Sequence, residues 1–181
     1  MSDQSKPVTE MLWLETCKDM IRKSEGLVLH PYDCPAGERT FGRGHNIELI
    51  NVRSQPPSTT AHELIYVLEH LTEPEKIAEY FLEGDVAECY LTLVSELHEW
   101  GDYGYNFDAL PDDCKIVLLD MCFNMSWGRL SGFEKMLTAI QMRDWVKASE
   151  ECTDSRYGRD KATAYRARKN AVLLLHCEES K

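Results

Sequence analysis

The sequence predicts a mostly helical α+β protein with one small β-hairpin lobe near its N-terminus. Three observations lead there. Apolar residues recur at helical spacing through most of the 181 residues. Residues 27–46 instead hold β-favouring side chains between turn formers. Residues 116–125 are apolar nearly all round, which suits a helix at the centre of a core.

Residues 1–7 are polar. A helix over residues 8–24 follows, with Met11, Leu14, Cys17 and Ile21 on its apolar stripe and Gly26 as a stop just after Glu25. The next stretch reads as two short strands around a Pro35-Ala36-Gly37 turn, closing on Gly42-Arg43-Gly44-His45. Residues 51–58, with Pro56-Pro57, read as a loop, and Ser58 or Thr59 caps a helix carrying Leu64, Ile65 and Leu68. Thr72-Glu73-Pro74-Glu75 has the form of a capping box with proline in the first turn. It opens a helix with Ile77, Tyr80, Phe81 and Val86 inward, the pattern running on through Leu91, Val94 and Leu97 to Trp100.

Residues 101–106 are turn-rich, and Leu110-Pro111-Asp112-Asp113 starts the central helix. Gly128 and Ser131-Gly132 interrupt the pattern before helices over 133–142, 144–151 and 163–177, with a basic loop between the last two. No repeat or long linker divides the chain. The expectation is a single domain, with a hairpin-containing lobe over residues 25–70 and a helical lobe over 8–24 and 72–178.

The net charge of −11 argues against a nucleic-acid binder, whose affinity rests on neutralising phosphates. Residues 155–170 carry +5 and the remainder −16, so this segment is either a solvated basic face or a local anion site. Seven cysteines without a CxxC pair read as thiols of a reducing compartment rather than a disulfide framework. His62-Glu63 begins like HExxH, but Tyr66 stands where the second histidine belongs, so no metal or cofactor is expected. There is no apolar leader and no run of 18 apolar residues. The expectation is a protein made in the cytoplasm without a cleaved signal.

Glu25 lies between a helix and a tight hairpin, where partial burial favours the proton-donating form of a general acid. An exposed helix-end glutamate is the plainer alternative. Asp33, Cys34, Thr40 and His45 follow on the hairpin. Glycosidases commonly need an acid for the leaving oxygen and a second group that activates water or stabilises the developing positive charge on the sugar. Asp33 or Cys34 can supply that second group, and Thr40 can hold the water. Adjacent strand residues point to opposite faces, so only one of Asp33 and Cys34 serves. A thiol with a pKa near its usual value of about 8.5 is a weaker base than carboxylate at neutral pH.

The spacing Glu25, eight residues, Cys34, five residues, Thr40 resembles the catalytic signature Glu-x8-(Asp/Cys)-x5-Thr of the phage-type (T4-like) lysozymes, the endolysin muramidases. Glu25-Gly26-Leu27, Tyr32 and Thr40-Phe41-Gly42-Arg43-Gly44-His45 are similar to the family block around it. Asp85-Val86, Phe107-Asp108-Ala109-Leu110, Met121 to Met125, Gly132-Phe133, Ser155-Arg156-Tyr157 and Tyr165-Arg166-Ala167-Arg168 resemble further family segments in order.

The resemblance implies a lysozyme-like fold and a catalytic set of Glu25 as general acid, Cys34 and Thr40, with Asp33 a rival to Cys34. It implies that Arg166 pairs with Glu25 and that Asp85 pairs with a structural His45. Asn124, Arg156 and Tyr157 would bind substrate on the sugar and peptide side of the cleft, with Phe123 packed beneath. Tyr157 stands where the family has tryptophan. The implied reaction is hydrolysis of the β-1,4 bond between N-acetylmuramic acid and N-acetylglucosamine in peptidoglycan, with inversion, by a monomeric endolysin.

A holin-like partner or a secretion machine would release such an enzyme to the periplasm and cell wall. An antibacterial effector, a lytic transglycosylase and a catalytically weak wall-binding protein are the alternatives. The acidity of the chain counts against rapid encounter with an anionic wall at low salt.

Overall fold

The computed structural model describes residues 12–47, 67–99 and 106–177. It is α+β and mostly helical, with a three-stranded antiparallel sheet. Helix α1 spans Leu12–Glu25 and strands β1, β2 and β3 span Val28–Asp33, Arg39–Gly42 and His45–Asn46. Helix α2 spans Pro74–His98, and a 3-10 turn covers Phe107–Ala109. Then come α3 (Asp112–Met125), α4 (Trp127–Leu130), α5 (Glu134–Gln141), α6 (Trp145–Thr153), α7 (Arg156–Arg159) and α8 (Ala164–His176). The chain divides into two compact units, Ile21–Ala87 and Met1–Met20 together with Glu88–Lys181. The expected loop over 51–58, most of the helix after it and the break at 101–105 lie outside the described residues.

In the unit Ile21–Ala87 the strands run in the order β1-β2-β3, with Tyr32 opposite Thr40, Asp33 opposite Arg39 and Phe41 opposite His45. The third strand is a correction to the two-stranded expectation. Gly42 and Gly44, both at positive φ, turn the chain back at once, so that His45-Asn46 pairs where a hairpin end was read. Phe41, Ile47, Leu68 and Ala78 form the core, with Leu29, Leu71, Ile77 and Phe81 against it.

The proline expected in the first turn of the next helix is found there. Helix α2 begins at Pro74, whose missing N–H costs nothing in the first turn, and the Glu73 carbonyl accepts from Lys76 and Ile77. Tyr80 and Leu91, read as inward, are 74% and 65% exposed; Val86 and Leu97 are buried as expected, and Ala78, Leu82 and Leu93 take the other buried positions.

Gly42 holds the sheet against α2. A Cβ there would lie 2.9 Å from the Ala78 Cβ, at a φ of +69° that disfavours any side chain. Gly42→Ala is expected to cost about 1–3 kcal/mol in urea unfolding. Gly84→Ala, in an open helical position, is expected to stabilise by up to about 1 kcal/mol. Equal effects from the two substitutions would contradict this packing.

In the second unit α3 is the centre, buried from Cys114 to Cys122. Helix α8 packs on α6 and α3, and α5 on α6. Trp13 sets its ring edge-on to Phe107 at 6.0 Å, and the Lys115 ammonium pairs with Asp112 at 2.9 Å. The stretch read as a basic loop contains α7, because the Ser155 hydroxyl accepts from Gly158 N–H and caps it. Gly158 is required there, since a Cβ would overlap the Thr153 carbonyl.

Burial pushes the thiols of Cys177 and Cys152 up to about 11 and about 12, and raises Cys17 and Cys114 as well. Above about pH 8.5 the unfolded chain gives up thiol protons that the native protein keeps. Stability from these groups is therefore full below that pH and falls as pH rises through the native values. Urea midpoints are expected to fall steadily from roughly pH 9 to 11. A flat profile there would count against buried thiols.

Candidate active site

Glu25 is the last residue of α1, and Gly26, at φ +68°, takes the chain out of the helix in the left-handed conformation. Arg43 fastens this exit. Its Nη1 donates to the Arg22 carbonyl at 2.8 Å and the Gly26 carbonyl at 3.1 Å, a cation on two carbonyls at the helix end. In the sequence Arg43 is only the middle of a Gly-Arg-Gly turn, and nothing there marks the carbonyls it reaches. A Cβ at Gly44 would lie 3.9 Å from Glu25 Oε2, so the same turn runs beside the carboxylate.

The first hairpin turn shapes the second group. Cys34 N–H donates to the Glu38 carbonyl at 2.9 Å and Gly37 N–H to the Cys34 carbonyl at 2.8 Å, with Gly37 at φ +84°. The half-buried Cys34 thiol is held below its usual pKa by the backbone N–H groups of Glu38 and Ala36, with help from the Thr40 hydroxyl. Those donors stabilise the thiolate. The buried Thr40 hydroxyl has two acceptors in reach, the Glu38 carbonyl at 2.9 Å and the Cys34 sulfur. Tyr32 lies across from Thr40. Burial raises its pKa, and the charges of Cys34 and Glu25 raise it further, so Tyr32 senses both groups. No role had been assigned to it.

Asp33 sits elsewhere. It pairs across the sheet with Arg39, whose Nη1 donates to Asp33 Oδ1 at 3.1 Å, and its side chain is 69% exposed. Period-two alternation puts the Tyr32–Thr40 pair on one face and the Asp33–Arg39 pair on the other. His45 Nδ1 lies 2.8 Å from Asp85 Oδ1 and its ring stacks on Phe81 at 4.2 Å, so it joins the sheet to α2.

The expected substrate-binding residues fall in the other unit. Asn124, Arg156 and Tyr157 share a cavity of about 530 Å³, with Arg129, Phe133 and Thr163 also on its wall. Tyr157 is buried, its ring edge-on to Phe133 at 6.3 Å. Arg166, expected to pair with Glu25, has a buried carboxylate in its own unit. Its Nε donates to Asp120 Oδ1 and Oδ2 at 3.0 and 2.9 Å and its Nη2 to Oδ1 at 2.8 Å. Asn170 Nδ2 donates to Asp120 Oδ2 at 2.9 Å and to the Tyr157 hydroxyl at 3.4 Å. Asp120 was missed, although an acid within an apolar helical run needs a buried partner.

No family model matches the chain. It is 24% identical over 147 residues to a protein of Dictyostelium discoideum named "Probable T4-type lysozyme 2", covering 78% of this chain and 84% of that one. It is 29% identical over 141 residues to the pre-baseplate central spike protein Gp5 of Enterobacteria phage T4, covering 76% of this chain and 24% of the spike protein. The chain is a distant relative of the T4-type lysozymes.

Proposed function

We propose that this chain is a peptidoglycan muramidase that hydrolyses the β-1,4 bond between N-acetylmuramic acid and N-acetylglucosamine. The observation that carries the reading is the grouping of Glu25, Cys34 and Thr40 in one unit, with Tyr32 sensitive to the charge of the first two. Glu25 donates a proton to the leaving glycosidic oxygen. Cys34, as thiolate, takes the proton of the attacking water. Thr40 orients that water, since a hydroxyl keeps lone pairs to accept a proton whether its own goes to the Glu38 carbonyl or to the Cys34 sulfur.

Asp33 is left out of the reaction because Arg39 and solvent already hold it. Asn124, Arg156 and Tyr157 bind the wall polymer, and Arg166 supports the site. The reading extends to a monomeric endolysin that reaches the wall through a holin-like partner.

The test is loss of turbidity in permeabilised Gram-negative cells by wild type, Cys34→Ala, Cys34→Asp and Thr40→Ala. Cys34→Ala is expected to lower the rate by about 10²–10⁴-fold. Cys34→Asp is expected to keep activity and to move the acidic limb of the pH profile down toward the carboxylate range, about 4. An acidic limb unmoved by Cys34→Asp removes the thiol from the mechanism.

A further inference from the structure

The seven cysteines differ in their surroundings. Cys17, Cys114, Cys152 and Cys177 are buried and raised, which makes them poor nucleophiles. Cys34 belongs to the candidate active site. The remaining two meet across a pair of helices. The thiol of Cys89 on α2 hydrogen-bonds the sulfur of Cys122 near the end of α3, and Trp127 N–H, at the start of α4, donates to that same sulfur. Cys89 is half-buried and Cys122 is 3% exposed. A thiol with stabilised negative charge, touching a more accessible second thiol, is the arrangement of a redox-responsive pair.

We propose that Cys89 and Cys122 are a dithiol modification site that hydrogen peroxide closes to a disulfide between α2 and α3. Cys89, the more accessible, meets the oxidant: its sulfur attacks one peroxide oxygen, the O–O bond breaks and hydroxide leaves a sulfenic acid. The Cys122 sulfur, as thiolate, then attacks the Cys89 sulfur. The S–S bond forms, the S–O bond breaks and a second hydroxide departs. The two thiol protons convert the hydroxides to water, so two thiols and one peroxide give one disulfide and two waters, with two electrons passing from sulfur to oxygen. The bridge would pin the end of α3 that carries Asn124 and Met125, both on the wall of the 530 Å³ cavity.

The test treats the full-length reduced protein with hydrogen peroxide, blocks the remaining thiols, digests it and maps the peptides by mass. The expected result is one linked pair, Cys89 with Cys122, lighter by two hydrogens and reopened by dithiothreitol. Cys122→Ser is expected to leave a dimedone-reactive sulfenic acid on Cys89. Because a buried serine could disturb folding, Cys89→Ser at the half-buried position serves as the second variant, and it is expected to yield no linked pair. Oxidation of Cys34 is the internal reference for exposure to peroxide. Cys89 and Cys122 both recovered unlinked once Cys34 is fully oxidised, or either joined to a different cysteine, would overturn the proposal.

Discussion

Glu25→Gln is expected to lower lytic activity by about 10²–10⁴-fold while leaving the unfolding midpoint nearly unchanged. The substitution keeps the size of the side chain and removes its acidic proton. The backbone support of the site, Gly26 in the left-handed region and Arg43 on the carbonyls of Arg22 and Gly26, does not depend on the carboxylate. The loss is therefore expected in kcat rather than in folding. Asp33→Asn is the matched control, because Asp33 is spent on Arg39 at the exposed face of the sheet. A surface ion pair of that kind is worth up to about 1 kcal/mol, and its removal is expected to leave lysis within about two-fold. Equal losses from the two variants would contradict the division of labour proposed for the carboxylates.

The largest effect on stability is expected at Asp120. This carboxylate is wholly buried and accepts from Arg166 and Asn170, with Arg166 itself 8% exposed. Asp120→Ala removes the carboxylate that accepts from the buried Arg166 guanidinium and takes the 2.9 Å acceptor from Asn170 Nδ2. The expected cost is about 3–5 kcal/mol, a large share of the roughly 5–15 kcal/mol that holds a domain of this size together. The cost comes from removing one member of a buried, hydrogen-bonded pair rather than from the worth of the pair against an apolar core. Asp120→Leu combined with Arg166→Met is accordingly expected to recover much of the lost stability in urea. A double variant no more stable than Asp120→Ala would show that the pair itself contributes.

The helical and hairpin regions were legible because their signals are local. Glycine and proline mark the exits at Gly26 and Gly37, period-3.6 spacing marks α1, and a run apolar nearly all round marks α3. What escaped was set by packing. Tyr80 and Leu91 fit an inward stripe as well as their neighbours do, and near Tyr80 the close approach of Gly42 to Ala78 shows which face of α2 is covered. The third strand depends on two successive turn glycines, whose positive φ values no apolar period records.

The candidate site was legible as spacing, since Glu25, Cys34 and Thr40 lie within one supersecondary unit. Its supporting chemistry was not. The N–H donors that favour the Cys34 thiolate belong to a turn whose closure had to be seen. Arg43 acts through two carbonyls, and carbonyls carry no sequence signature.

The most direct measurement is the identity of the sugar ends released from purified peptidoglycan. After digestion, borohydride reduction and acid hydrolysis, the expected product is reduced N-acetylmuramic acid from the wild type and close to none from Glu25→Gln. Reduced N-acetylglucosamine, anhydro-muramic ends, or equal release by Glu25→Gln would contradict hydrolysis at this site.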